Sequence, residues 1–133
     1  MGISVKAPAV STRVDASEVR LLWHASYWDG PLDGLCLFRG ERCWFECLDG
    51  PSDDVVNRKF LIRRLTREQL AAEEKQHELF REKVGTHCDY DENGKSTGAV
   101  KPHSSWHEFY DLYPPQASRA DYSRNEVLGW FER

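Results

Sequence analysis

Residues 21–48, LLWHASYWDGPLDGLCLFRGERCWFECL, constrain the fold more than any other stretch, because they hold three of the five tryptophans and three of the four cysteines. A run this rich in aromatic and aliphatic side chains, interrupted at Asp29-Gly30-Pro31, Asp33-Gly34 and Arg39-Gly40, predicts three consecutive antiparallel strands. The first is expected from about Glu18 to Ser26, followed by a long polar-aromatic connection over 27–34. A hairpin of strands 35–38 and 41–48 comes next. If Arg39-Gly40 is a two-residue turn, Phe38 pairs with Glu41 and Cys36 falls opposite Cys43. A three-residue loop with Gly40 in the left-handed region would oppose Leu37 to Glu41 and break that pairing. The hairpin is apolar on both faces, with Cys36, Phe38, Cys43, Phe45 and Cys47 on one and Leu35, Leu37, Trp44 and Leu48 on the other. A sheet of that kind needs cover on both sides.

The rest of the chain supplies further elements. Residues 1–17 show no sustained period and read as a mobile or loosely docked tail. Residues 49–57 form a loop and 59–65 a fourth strand. Thr66 and Gln69 have the spacing of a capping box, so a helix is expected over 67–84, ending at Gly85, with one face available to cover the sheet. Residues 87–98 read as irregular chain. Ser105 and Glu108 repeat the capping spacing before a short helix, 106–112, that Pro114-Pro115 stops. Its Trp106, Phe109, Tyr110 and Tyr113 make an aromatic stripe at helical spacing, expected in the core. Residues 126–132 read as a closing strand. The expected fold is a single α+β domain over 18–133: a bent antiparallel sheet of about five strands, or a partly open small barrel, with one long and one short helix inserted before the last strand. In strand count and in the long connection after the first strand this resembles SH3-type barrels, although no diagnostic motif of those modules is present.

Composition narrows the functional classes. The chain has 133 residues, 40% hydrophobic and 30% charged, with a net charge of -4. These values suit one globular core and disfavour general disorder. No apolar run approaches the ~20 residues needed to cross a bilayer. The opening MGISVKAPAV lacks a signal-peptide apolar region, and Lys6 occupies the position where a myristoylation signal wants Ser or Thr, so the expected location is cytoplasmic. Net negative charge works against phosphate-backbone binding. The one basic cluster, Arg58, Lys59, Arg63, Arg64 and Arg67, is split because Arg63 and Arg64 alternate faces on a strand. No nucleic-acid or membrane role is expected. Reduced, buried thiols suit such a protein better than disulfides. Cys43 and Cys47 share a face but lie ~13 Å apart along a strand, too far to ligate one metal.

Three chemistries compete for the remaining polar residues. Asp89-x-Asp91-x-Asn93-Gly94 matches the first half of an EF-hand calcium loop, but Val100 stands where the bidentate glutamate belongs. His87, Cys88, His103 and His107 have partial metal-ligand spacing without a second cysteine pair. His24, Asp29, Asp33 and Glu46 gather where the first strand, its connection and the hairpin meet, which suits general acid–base work in a small hydrolase. No nucleophile elbow, phosphate loop or dinucleotide fingerprint accompanies them. The favoured expectation is a non-catalytic binding or regulatory module without a cofactor, monomeric or homodimeric. It would meet a protein or peptide partner through Tyr27, Trp28, Asp29 and Asp33 together with Trp44 and Glu46, an aromatic and acidic surface.

Overall fold

Arg39 and Gly40, with φ of 50° and 80°, form a two-residue turn with both residues in the left-handed region. That geometry matches the right-handed twist of the strands it joins. In the computed structural model, which describes residues 12–27, 31–48, 58–92, 95–114 and 121–133, this turn sets the register of the hairpin. Phe38 pairs with Glu41 and Cys36 with Cys43. Arg39 lies over the Phe38 ring at 4.8 Å and reaches Glu18 at 3.5 Å. These contacts hold a non-glycine residue in a conformation it otherwise rarely adopts.

The strands are β1 (Val19–Tyr27), β2 (Pro31–Phe38), β3 (Glu41–Cys47), β4 (Lys59–Arg64), β5 (Cys88–Tyr90), β6 (Ser96–Ala99) and β7 (Val127–Glu132), with helices α1 (Arg67–Lys83) and α2 (Trp106–Leu112). Contacts group them into two compact units, Met1–Thr66 with Tyr122–Arg133, and Arg67–Asp121. The helix expected to cover the sheet belongs to the second unit. The first unit is a five-stranded antiparallel sheet in the order β1-β2-β3-β4-β7. It is not closed into a barrel.

One correction concerns the connection after β1. It spans 28–30 rather than 27–34, because Asp33-Gly34 lies inside β2, paired with Ser26 and His24. Gly34 is there for space, not for a turn: a Cβ at this position would sit 2.1 Å from the Trp23 carbonyl oxygen. The tail reading, mobile or loosely docked, is tested only at its described end, residues 12–17. The Val14 N–H donates to the Trp130 carbonyl at 2.8 Å, and the Trp130 N–H donates to the Thr12 carbonyl at 3.0 Å. This parallel bridge docks residues 12–14 on the outer edge of β7. Gly129 leaves room for it, since a Cβ there would meet the Thr12 oxygen at 2.9 Å. Val14 is buried, and the Arg13 guanidinium lies 5.1 Å over the Trp130 ring.

Both faces of the sheet are apolar, as expected. On one, Cys36, Phe38, Cys43, Phe45, Phe60, Ile62 and Phe131 pack with Val14. Phe60 stacks on Phe131 at 5.1 Å and meets Phe45 edge-on at 5.9 Å. On the other, Leu35, Trp44, Leu61 and Trp130 are buried. Tyr122 closes on Trp44 edge-to-face at 5.0 Å. A register shift between Leu21 and Trp23 moves β1 from one face to the other: Leu21 pairs with Cys36, Trp23 with Leu35.

All four cysteines are free thiols. Burial pushes the Cys36 thiol up to about 12 and the Cys43 thiol to about 11. Since the thiolate is the reactive form, iodoacetamide at mildly alkaline pH should label Cys47 and Cys88 in the native protein. Cys36 and Cys43 should react only after denaturant is added. Peptide mass mapping checks this, and native labelling of Cys36 would contradict its placement in the core.

In the second unit, α1 starts directly after Thr66 and ends at Lys83, and Gly85, with a φ of 84°, turns the chain away from the helix axis. The Val84 and Gly85 N–H groups both donate to the Phe80 carbonyl, at 2.8 and 2.9 Å. The small core holds Val84, fully buried, and Phe109, which meets Phe80 edge-on at 5.4 Å. Two expectations change here. Residues 95–98, read as irregular, belong to a hairpin in which Cys88 pairs with Ala99 and Asp89 with Gly98. Ser105 precedes α2 but makes no side-chain cap. Its hydroxyl donates instead to the Lys83 carbonyl at 2.9 Å, satisfying one of the unpaired carbonyls at the end of α1.

Candidate functional site

The strand pairings bring Asp33, Glu46 and His24 to one end of the sheet. Asp33 lies directly opposite Glu46, and its neighbour Gly34 lies opposite His24. Two carboxylates opposed across an antiparallel ladder repel. The repulsion is offset by Arg63, whose Nε donates to Glu46 Oε1 and whose Nη1 donates to the Ser123 and Asn125 carbonyls at 3.1 and 3.0 Å. With 11% of its side chain exposed, Arg63 serves as a structural clamp between β4 and residues 123–125. Glu46 is therefore engaged in an ion pair rather than held ready for proton transfer.

Trp44, expected on the recognition surface, is instead core: it pairs with Arg63 across β4, is 6% exposed and packs against Tyr122. Tyr27 contributes a backbone pair with Pro31, while Trp28 and Asp29 lie outside the described residues. A shallow cleft of about 440 Å³, lined by Arg13, Val14, Asp15, Ala16 and Glu132, shares no residue with this group.

Burial lowers the His24 pKa below the usual 6.5, and the negative charge of Asp33 opposes that shift in part. The unfolded chain therefore takes up this proton at higher pH than the folded one, and stability falls as pH drops through and below about 6.5. Urea denaturation at several pH values should show this loss, and His24→Gln should remove its contribution to the slope. An unchanged slope would place the effect elsewhere.

The candidate metal ligands of the second unit make local contacts. Asp91 closes the β5–β6 hairpin: its Oδ1 accepts the Lys95 N–H at 2.9 Å, and its own N–H donates to the Lys95 carbonyl at 2.9 Å. Asp89 lies in β5, paired with Gly98. Asn93 lies outside the described residues. His87 Nε2 is 2.7 Å from the Tyr110 hydroxyl, His103 Nδ1 is 3.2 Å from the Glu82 carbonyl, and His107 is exposed on α2. Cys88 opens β5. Among the described residues, no three His, Cys, Asp or Glu side chains gather closely enough to hold a metal ion.

A different surface emerges on the second unit. Trp106, expected in the core, is 46% exposed. Its ring lies 6.2 Å from Tyr110, which stacks on His87 at 6.0 Å with 26° between the planes. His87 in turn packs edge-on against Phe80, and Tyr110 against the buried Phe109. The result is a row of three rings, Trp106, Tyr110 and His87, with one side anchored on the small core. Among the described residues the exposed large apolar side chains are Tyr90, Trp106 and Leu112, all in this unit. The sequence carried a signal for it in its charge. Residues 67–121 hold eleven Asp and Glu against seven Lys and Arg, a net -4, whereas the rest of the chain holds eleven of each.

Comparison with known proteins finds no matching family model, no matching curated protein and no matching solved structure.

Proposed function

We propose that this chain is a non-catalytic binding module whose recognition surface is formed by Trp106, Tyr110 and His87. The exposure of Trp106 beside two stacked rings carries the reading. A tryptophan left half in water on a short helix forgoes much of the burial its ring could contribute, and tryptophan and tyrosine are the side chains that most often dominate protein interfaces. The hydrogen bond between Tyr110 and His87 holds the row in place, which lowers the entropy lost when a partner docks. This reading proposes the same class of function as the sequence does, with a surface on α2 and His87 in place of Tyr27, Trp28, Asp29, Asp33, Trp44 and Glu46.

The test uses the intact chain and Trp106→Ala as paired baits in the native host, followed by titration of the purified captured partner. The variant should bind about thirtyfold more weakly, as for a loss near 2 kcal/mol. Its melting temperature should stay within about 2 °C of the parent, since surface changes have small effects. Equal affinity for both baits would remove this surface from the function. A second reading, an acid–base enzyme, is favoured by the strand register that brings His24 and Asp33 to one end of the sheet. Hydrolysis of activated esters that disappears in Asp33→Asn would support it, and activity that survives the substitution would end it.

A further inference from the structure

We infer that the row of Trp106, Tyr110 and His87 binds a cationic segment of a partner protein, a flexible peptide carrying arginine or lysine; this rests on the binding reading above. Charge is the first argument. The whole net charge of the chain, -4, resides in residues 67–121, the unit that bears the row. An unbalanced field of this kind attracts basic partners and repels acidic ones.

Ring chemistry is the second argument. The faces of tryptophan and tyrosine carry negative electrostatic potential and attract guanidinium and ammonium groups. In the first unit, where charges balance, such faces are filled from within: Arg13 lies over Trp130 and Arg39 over Phe38. Among the described residues, the ring contacts of Trp106 are with His107 and Tyr110. Lys83, at the end of α1, is held by Glu82 at 3.9 Å and Glu108 at 3.4 Å, so its charge is already engaged. The second unit thus combines exposed aromatic faces with excess negative charge, and a basic peptide satisfies both.

The test titrates the full chain with three dodecapeptides built from Arg-Leu-Gly, Gln-Leu-Gly or Glu-Leu-Gly repeats, followed by calorimetry and by tryptophan fluorescence. The arginine peptide should bind, and Trp106→Ala should weaken it by about tenfold. Added salt should weaken it further, and the glutamine and glutamate peptides should bind at least about tenfold less well. Three results would overturn the inference. Binding of the arginine peptide that survives Trp106→Ala would mean diffuse attraction without the row. Equal, Trp106-dependent binding of the glutamine peptide would leave the recognition surface standing but remove its cationic partner. Trp106-dependent self-association without peptide binding, read by sedimentation, would make a second copy of the chain the occupant.

Discussion

Replacing Gly34 with alanine should unfold the sheet or leave it barely stable. The new Cβ would lie 2.1 Å from the Trp23 carbonyl oxygen and 2.7 Å from the His24 Cα, both backbone atoms that no rotamer change can move. The φ of 155° is also one that side-chain-bearing residues rarely adopt. Relief requires β1 to separate from β2, and with it the pairs on either side. A cost of about 4 kcal/mol or more is expected, the range reserved for backbone and core disruption. For a chain of this size that corresponds to a fall in melting temperature of more than about 10 °C. Gly40→Ala is the internal control: its φ of 80° imposes strain, but nothing lies within 4 Å of the added atom, so a loss of only about 1 kcal/mol is expected. Thermal denaturation followed by circular dichroism separates the two. Similar melting temperatures for Gly34→Ala and Gly40→Ala would mean that β1 shifts freely and that the close approach is not structural.

Phe45→Ala should be nearly as damaging for a different reason. Phe45 is fully buried and pairs with Gly34 on one side and Ile62 on the other. Its directly opposed neighbour on β2 has no side chain, so among the core residues of that strand only the small diagonal neighbour Cys36 is placed to relax toward the space left by the ring. Phenylalanine truncations cost about 3–5 kcal/mol, and the value depends on how far the site collapses, so the upper part of that range is expected here. Phe45→Leu, which keeps most of the volume, should cost about 1–2 kcal/mol. Urea titration with an unchanged m-value is the measurement. A loss below about 1.5 kcal/mol for the alanine variant would show that Phe60 or another neighbour fills the gap.

The hairpin register was legible in the sequence because two independent signals agreed: a glycine-containing dipeptide at the turn and alternating apolar residues on both sides of it. The start of β2 was not, because Asp33-Gly34 has the composition of a turn while Gly34 serves the close approach of β1. Composition does not distinguish a glycine needed for conformation from one needed for clearance. The spacing of Ser105 and Glu108 was read as a cap, yet the serine hydroxyl satisfies a carbonyl of the preceding helix, a partner that spacing along the chain does not reveal. The β5–β6 hairpin was missed because its strands are short and largely exposed, so neither carries alternation. At the candidate site, periodicity found the aromatic stripe of α2 but not how much of it is buried. Phe109 is buried against Phe80, while Trp106, a turn earlier, is 46% exposed.

The bridge between residues 12–14 and Trp130 has a practical corollary. Open sheet margins invite neighbouring molecules to add their own strands, and β7 would offer such a margin if the Trp130 amide and carbonyl were bare. A shortened protein beginning at Val19 loses the segment that occupies both groups, along with Val14 from the core. It should therefore clump at concentrations where the intact chain stays clear. In the intact chain, residues 12–14 are the part that stands between β7 and a foreign strand.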